Sequence, residues 1–134
     1  MKKIQIKPTQ FSPKIILSPE DRKFIIKGNS RPEDVREVYY PVVNWLIEFG
    51  DKLKSDKEYE FSANDPFIME FDLGYFNSSS TKFLFDIIKI LQEINEAGVP
   101  TEIHWHYEEE DLDMKEAGED LSYLAEIDFK FLKK

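Results

Sequence analysis

A chain of 134 residues with 41 % apolar content has material for one core, so a single domain over residues 1–134 is expected. A net charge of −9 argues against nucleic acid and against an anionic membrane surface, because both are held by Lys and Arg neutralising phosphates. Without cysteine there is no disulfide, thiolate metal site or cysteine nucleophile. Lys2 and Lys3 are followed by no continuous apolar stretch of the kind a signal peptide carries. No segment approaches the roughly 20 apolar residues of a membrane helix, so a cytoplasmic protein is expected.

In chain order, Lys14 to Leu17 and Lys23 to Lys27 are β-branched runs separated by the turn formers Ser18, Pro19, Glu20 and Asp21, which predicts a hairpin. Ser30 followed by Glu33, with Pro32 between, has the form of a capping box opening a helix. Val35, Val38, Tyr39, Val42, Leu46, Phe49 and Leu53 then recur at helical spacing, with a bend or local loss of a hydrogen bond expected at Pro41. The segment "KEYEFSANDPFIMEFDLGYFN" alternates through Phe67, Met69, Phe71 and Leu73 as a strand, with Ser62 to Pro66 interrupting or preceding it. A second helix spans Ser78 to Ala97 and stops at Gly98 and Pro100. "TEIHWHY" is a further strand, the acidic stretch after it a loop and short helix, and Ile127, Phe129 and Phe131 alternate as a last strand. The order β-β-α-β-α-β-α-β predicts an α/β sandwich, helices packed on a mixed, mainly parallel sheet.

Four consecutive hydroxyls, Ser78 to Thr81, open the second helix. At about 100° per residue, Phe83, Leu84, Ile87, Ile88, Ile90, Leu91, Ile94 and Ala97 share one arc that must face the sheet. Extended back one turn, the wheel sends Ser79 and Ser80 toward that arc, Ser78 to solvent and Thr81 to the boundary. Phe85 is left among the polar positions. Two readings fit the run. In one, Asn77 or Ser78 caps the helix and the inward serines bond to backbone. In the other, Ser78 is a phosphorylation site on a partner-binding surface, where free N–H groups tolerate an anion and Lys82 lies one turn on to pair with it.

"FDLGYFNSSSTKFLFDIIKIL" followed by "TEIHWHY" resembles the bacterial SiaC-type regulatory phosphoproteins, which are similar in fold to the STAS domains of anti-sigma factor antagonists. The resemblance rests on Tyr75, Asn77, the serines 78 to 80, Lys82 and the pair His104 and Trp105, with Trp45 upstream. It implies a STAS-like fold, no catalysis, no cofactor and a switch role in cyclic di-GMP signalling. In that role a serine/threonine kinase of the histidine-kinase-like ATPase type phosphorylates the first hydroxyl after the Asn, here Ser78. A PP2C-like phosphatase removes the phosphate, and the unmodified form binds and activates a diguanylate cyclase. The partner-binding residues would be Asn77, Ser78, Ser79, Thr81, Lys82 and Phe85. An alternative of the same kind is an anti-sigma antagonist-like switch with a different client.

A competing class is a small metal-dependent enzyme. His104 and His106 share one face of a strand and are a possible metal pair, with Glu108 or Glu110 as a carboxylate. Catalytic zinc needs three protein ligands, however, and a run of acids is usually a solvated loop. No nucleophile elbow, P-loop or Gly-rich dinucleotide motif occurs among the five glycines.

Overall fold

The computed structural model describes residues 1–55 and 58–134. Lys57, at the head of the segment read as leading into the central strand, lies outside them. Six strands and three helices follow in the order β1 (Ile4–Ile6), β2 (Lys14–Ser18), β3 (Lys23–Ser30), α1 (Val35–Ser55), β4 (Phe67–Phe76), α2 (Ser78–Glu96), β5 (Thr101–Tyr107), α3 (Leu112–Ala125) and β6 (Phe129–Lys133). They form one sheet in the order β1-β2-β3-β4-β5-β6. β1, β2 and β3 pair antiparallel, whereas β3 to β6 pair parallel through the helical crossovers. This is the expected α/β architecture with a mixed, mainly parallel sheet.

Alternate residues of the strands (Ile15 and Leu17, Phe24 and Ile26, Phe67 to Leu73, Ile103 and Trp105) join the buried sides of all three helices in one core cluster. The helices therefore cover the same face. The opposite face is charged: Lys27 and Lys134 meet Asp72, and Lys130 meets Glu102. Its polar alternation is what an antiparallel or mixed sheet with one wet face requires.

Several boundaries differ from the sequence reading, each for a physical reason. Ser30 does not cap α1; it is the last residue of β3, paired with Phe76 and fully buried. Arg31 precedes Pro32, which disfavours the helical region for it, and the cap moves to Asp34, whose Oδ1 accepts from the backbone N–H of Arg36 at 3.1 Å. At Pro41 the second of the two expected outcomes holds: α1 runs on as one helix, and proline, having no N–H, forgoes the one bond to the Glu37 carbonyl four residues back. Ser62 and Asp65 exchange two backbone bonds of 3.0 Å in a tight turn that precedes β4. The helix expected to be short in the acidic segment has 14 residues, and the last strand starts at Phe129 because Glu126 takes a left-handed conformation that ends α3. Strand β1, with only three residues among lysines, carried no legible pattern. It is held on the core by the indole of Trp45, which donates to the Lys2 carbonyl at 2.7 Å.

One irregularity shapes the site. Gly28 pairs with Leu73 but Asn29 pairs with Tyr75, so Gly74 is an extra residue in β4. The bulge inverts the alternation beyond it: Tyr75 turns outward and is half exposed, and Phe76 turns inward onto Trp105, ring centroids 6.0 Å apart. A Cβ on Gly74 would stand 3.0 Å from the Asn29 side chain, so glycine keeps the bulge compact.

Candidate functional site

The β4 to α2 junction lies at the carboxyl end of a parallel strand, where α/β sheets place their sites because loops and helix N-termini converge there. Asn77 is the N-cap of α2, extended at φ −87° and ψ 174°. Its side-chain oxygen accepts from the Ser80 N–H at 2.9 Å, and its own N–H donates to the Ser30 carbonyl at 2.9 Å. The cap reading is therefore correct for Asn77, and it ties the start of α2 to the end of β3.

The four hydroxyls have four different fates. Ser80 is fully buried and donates to the Ser30 carbonyl at 3.1 Å. Thr81 is half buried and donates to the Asn77 carbonyl at 3.2 Å. Ser79 is exposed, contrary to the wheel, and donates to the Asn77 side chain at 3.1 Å. A wheel gives direction but not height; one turn before Phe83 the helix has risen past the end of the core, so an inward azimuth meets solvent. Ala97, at the opposite end of the same arc, is exposed as the C-cap for the same reason. Ser78 is exposed as expected, and its hydroxyl alone of the four bonds to no other described residue.

Two further residues of the predicted surface sit differently from expectation. Phe85 is half buried at the edge of the core, because α2 packs against α1 and α3 as well as the sheet, and the wheel allowed for the sheet alone. Lys82 is exposed but engaged, its ammonium 3.1 Å from Asp86 and 5.1 Å from the centre of the Phe83 ring. Sequence reasoning named Tyr75 only as part of the motif and Tyr40 not at all, and foresaw the exposure of neither; both are half exposed near the junction, where Tyr75 precedes Ser78 by three residues and Tyr40 packs edge-on against Phe83 at 5.5 Å. Tyr40 stood next to the core position Tyr39 and Tyr75 in a strand alternation that the bulge inverts, so neither signalled exposure.

Beneath the junction lies a buried hydroxyl chain. Ser30 Oγ is 2.5 Å from the Tyr39 hydroxyl and 2.8 Å from Ser80 Oγ. Burial pushes the Tyr39 phenol up to about 12, with the Ser30 and Ser80 hydroxyls offsetting part of the effect. The unfolded phenol ionises near pH 10 and the folded one near 12, so stability that is whole below pH 10 drains between the two, by about 2–3 kcal/mol. Denaturant midpoints measured from pH 9 to 12 are expected to fall less steeply for Tyr39→Phe than for the wild type; identical slopes would contradict this account.

His104 and His106 do share the open sheet face, but each is engaged separately: His104 Nε2 lies 2.9 Å from Glu102 and His106 Nε2 3.0 Å from Glu70. The His104 and Lys130 contacts hold the Glu102 carboxyl below its usual range. Glu108 and Glu109 pair instead with Lys134 and Lys133. Among the described residues no three His, Asp or Glu side chains are grouped to hold a metal ion. Among the same residues no helix is long and apolar enough to cross a membrane.

The junction thus presents one exposed hydroxyl that bonds to no other described residue, that of Ser78, at a capped helix start. Residues 6–134 match the model of the SiaC family of regulatory phosphoproteins, and the chain belongs to that family. An uncharacterized protein of Pseudomonas aeruginosa strain UCBPP-PA14 is 28 % identical over 108 residues, 81 % of this chain and 78 % of that one. The crystal structure of apo-SiaC from Pseudomonas aeruginosa superposes with a TM-score of 0.79 at 25 % identity, covering 100 % of this chain and 99 % of that one. A third match, with a TM-score of 0.79, 26 % identity and 97 % of each chain covered, comes from the structure of the diguanylate cyclase SiaD in complex with its activator SiaC from the same organism.

Proposed function

We propose that this chain is a non-catalytic cytoplasmic phospho-switch. A serine/threonine kinase of the histidine-kinase-like ATPase type phosphorylates Ser78, a PP2C-like phosphatase reverses the modification, and the unmodified form binds and activates a diguanylate cyclase. The observation that carries this reading is the division of labour within the hydroxyl run: Ser79, Ser80 and Thr81 are each committed to an internal acceptor, and the exposed Ser78 hydroxyl bonds to no other described residue. Partner binding is supported by the similar SiaC chain that stands in complex with a diguanylate cyclase. The docking surface is the α2 start, with Asn77, Ser79, Thr81, Lys82 and Phe85 around Ser78.

Incubation with the cognate kinase and ATP, followed by peptide mass spectrometry, is expected to place one phosphate on Ser78 and none on the Ser78→Ala protein. Phosphate on another hydroxyl, or undiminished labelling of Ser78→Ala, would sink the assignment.

A further inference from the structure

Ser30, Tyr39 and Ser80 come from β3, α1 and α2 respectively, and nothing in the switch chemistry uses them. Their hydroxyls nevertheless meet in a space closed to solvent: Tyr39 and both serines are at most 0 % exposed. One ordering of protons satisfies every donor. Ser80 donates to the Ser30 carbonyl at 3.1 Å, Ser30 to Ser80 Oγ at 2.8 Å, and Tyr39 to Ser30 Oγ at 2.5 Å. The same Ser30 carbonyl accepts the Asn77 N–H at 2.9 Å, and the Asn77 side chain caps the Ser80 N–H at 2.9 Å. The first turn of α2 is thus closed into a ring of bonds through Ser30, with Tyr39 locking the ring from α1. The Tyr39 ring is itself fixed, stacked on Phe83 at 5.9 Å and 13°.

We propose that Tyr39 and Ser30 are positioning residues for phosphoryl transfer to Ser78: their hydroxyl chain fixes the first turn of α2 so that Ser78 is presented in a single geometry. In that transfer the Ser78 Oγ–P bond forms as the γ-phosphorus–oxygen bond of the kinase's ATP breaks, ADP leaves and the hydroxyl proton passes to a base of the kinase. The proposal rests on the Ser78 reading above. A core that required only packing at this point would be served by Phe and Ala; three hydroxyls in a dry site are useful where orientation matters, since hydrogen bonds are directional and apolar contacts are not. Holding an acceptor in near-attack geometry acts on the rate of the chemical step, whereas docking of the kinase depends on the outer surface, which the chain does not reach.

Tyr39→Phe removes one hydroxyl and keeps the ring. Amide exchange at Ser80 and Thr81, whose N–H groups are bonded to Asn77, is expected to speed up about tenfold in this variant, with the core amides of β4 and β5 unchanged. With the kinase, kcat for Ser78 phosphorylation is expected to fall about tenfold at constant KM. Ser30→Ala, which breaks the chain at its centre, is expected to show both effects at least as strongly, and Ser30→Thr, which retains the hydroxyl, to restore wild-type kcat. Unchanged exchange at residues 80 and 81 in both Tyr39→Phe and Ser30→Ala, or a loss carried by KM instead of kcat, overturns the positioning role. Wild-type protein that takes no phosphate at Ser78 overturns the underlying functional reading, a result the exchange measurement does not produce.

Discussion

The Gly118→Ala protein is expected to melt about 10 °C below the wild type, from a loss of about 3 kcal/mol at roughly 3 °C per kcal/mol for a chain of this size. A Cβ at position 118 would stand 2.5 Å from Trp105 Nε1 and 2.6 Å from its Cδ1, distances at which one of the two must move. The indole has nowhere to go. It is 1 % exposed, donates to the Met114 carbonyl at 2.9 Å, stacks on Phe129 at 5.7 Å and touches Phe71 and Phe76. Relief requires α3 to lift from β5, which breaks the indole bond and opens the core along the helix. Calorimetry with near-ultraviolet circular dichroism reads both consequences, and a melting point within about 2 °C of wild type would refute so close an approach of helix to strand. Because Phe76 rests on the same indole and leads directly into Asn77, the damage is expected to extend toward the switch turn.

The second large effect concerns binding and leaves the fold untouched. Phosphate on Ser78 is expected to weaken association with the diguanylate cyclase about 100-fold, equivalent to about 3 kcal/mol. The modification adds a charge of about −2 at a surface that binding would dehydrate. Stabilisation by the helix dipole is about 0.3–1 kcal/mol, too small to offset that cost or to refold the domain. Lys82 offers limited compensation, since pairing with the phosphate means leaving Asp86. Ser78 bonds to no other described residue, so the phosphorylated protein is expected to melt within about 2 °C of the unmodified one. Calorimetric titration of the two forms into the cyclase reads the difference; equal affinities would remove the switch, and a large change in melting point would mean that the phosphate acts by unfolding instead.

Much of this was legible from spacing. The helix periods, the central strand, the stop at Gly98 and the outward direction of Ser78 all follow from local alternation, which the structure respects. What stayed hidden depends on contacts between distant segments. Ser30 satisfied a capping pattern locally, but its hydroxyl belongs to Tyr39 and Ser80, 9 and 50 residues away. Phe85 looked stranded because the wheel allowed for the sheet alone, whereas α2 also packs against α1 and α3. Ser79 was misplaced because azimuth alone says nothing about where a core ends. The commitment of each hydroxyl, which singles out Ser78, is a property of three dimensions: the wheel separated Ser78 from its neighbours by direction, and the hydrogen bonds separate them by chemistry.

Gly74 has a consequence for the start of α2 although it donates no bond to it. A strand counts in twos, so one surplus residue changes odd to even for everything downstream. Were Gly74 to take a regular place in the ladder instead of bulging, the parity of β4 would send Tyr75 into the core and Phe76 out to solvent. Which hydroxyl faces the outside is thus set by counting as much as by contact, and the count is made four residues before Ser78 by a residue with no side chain.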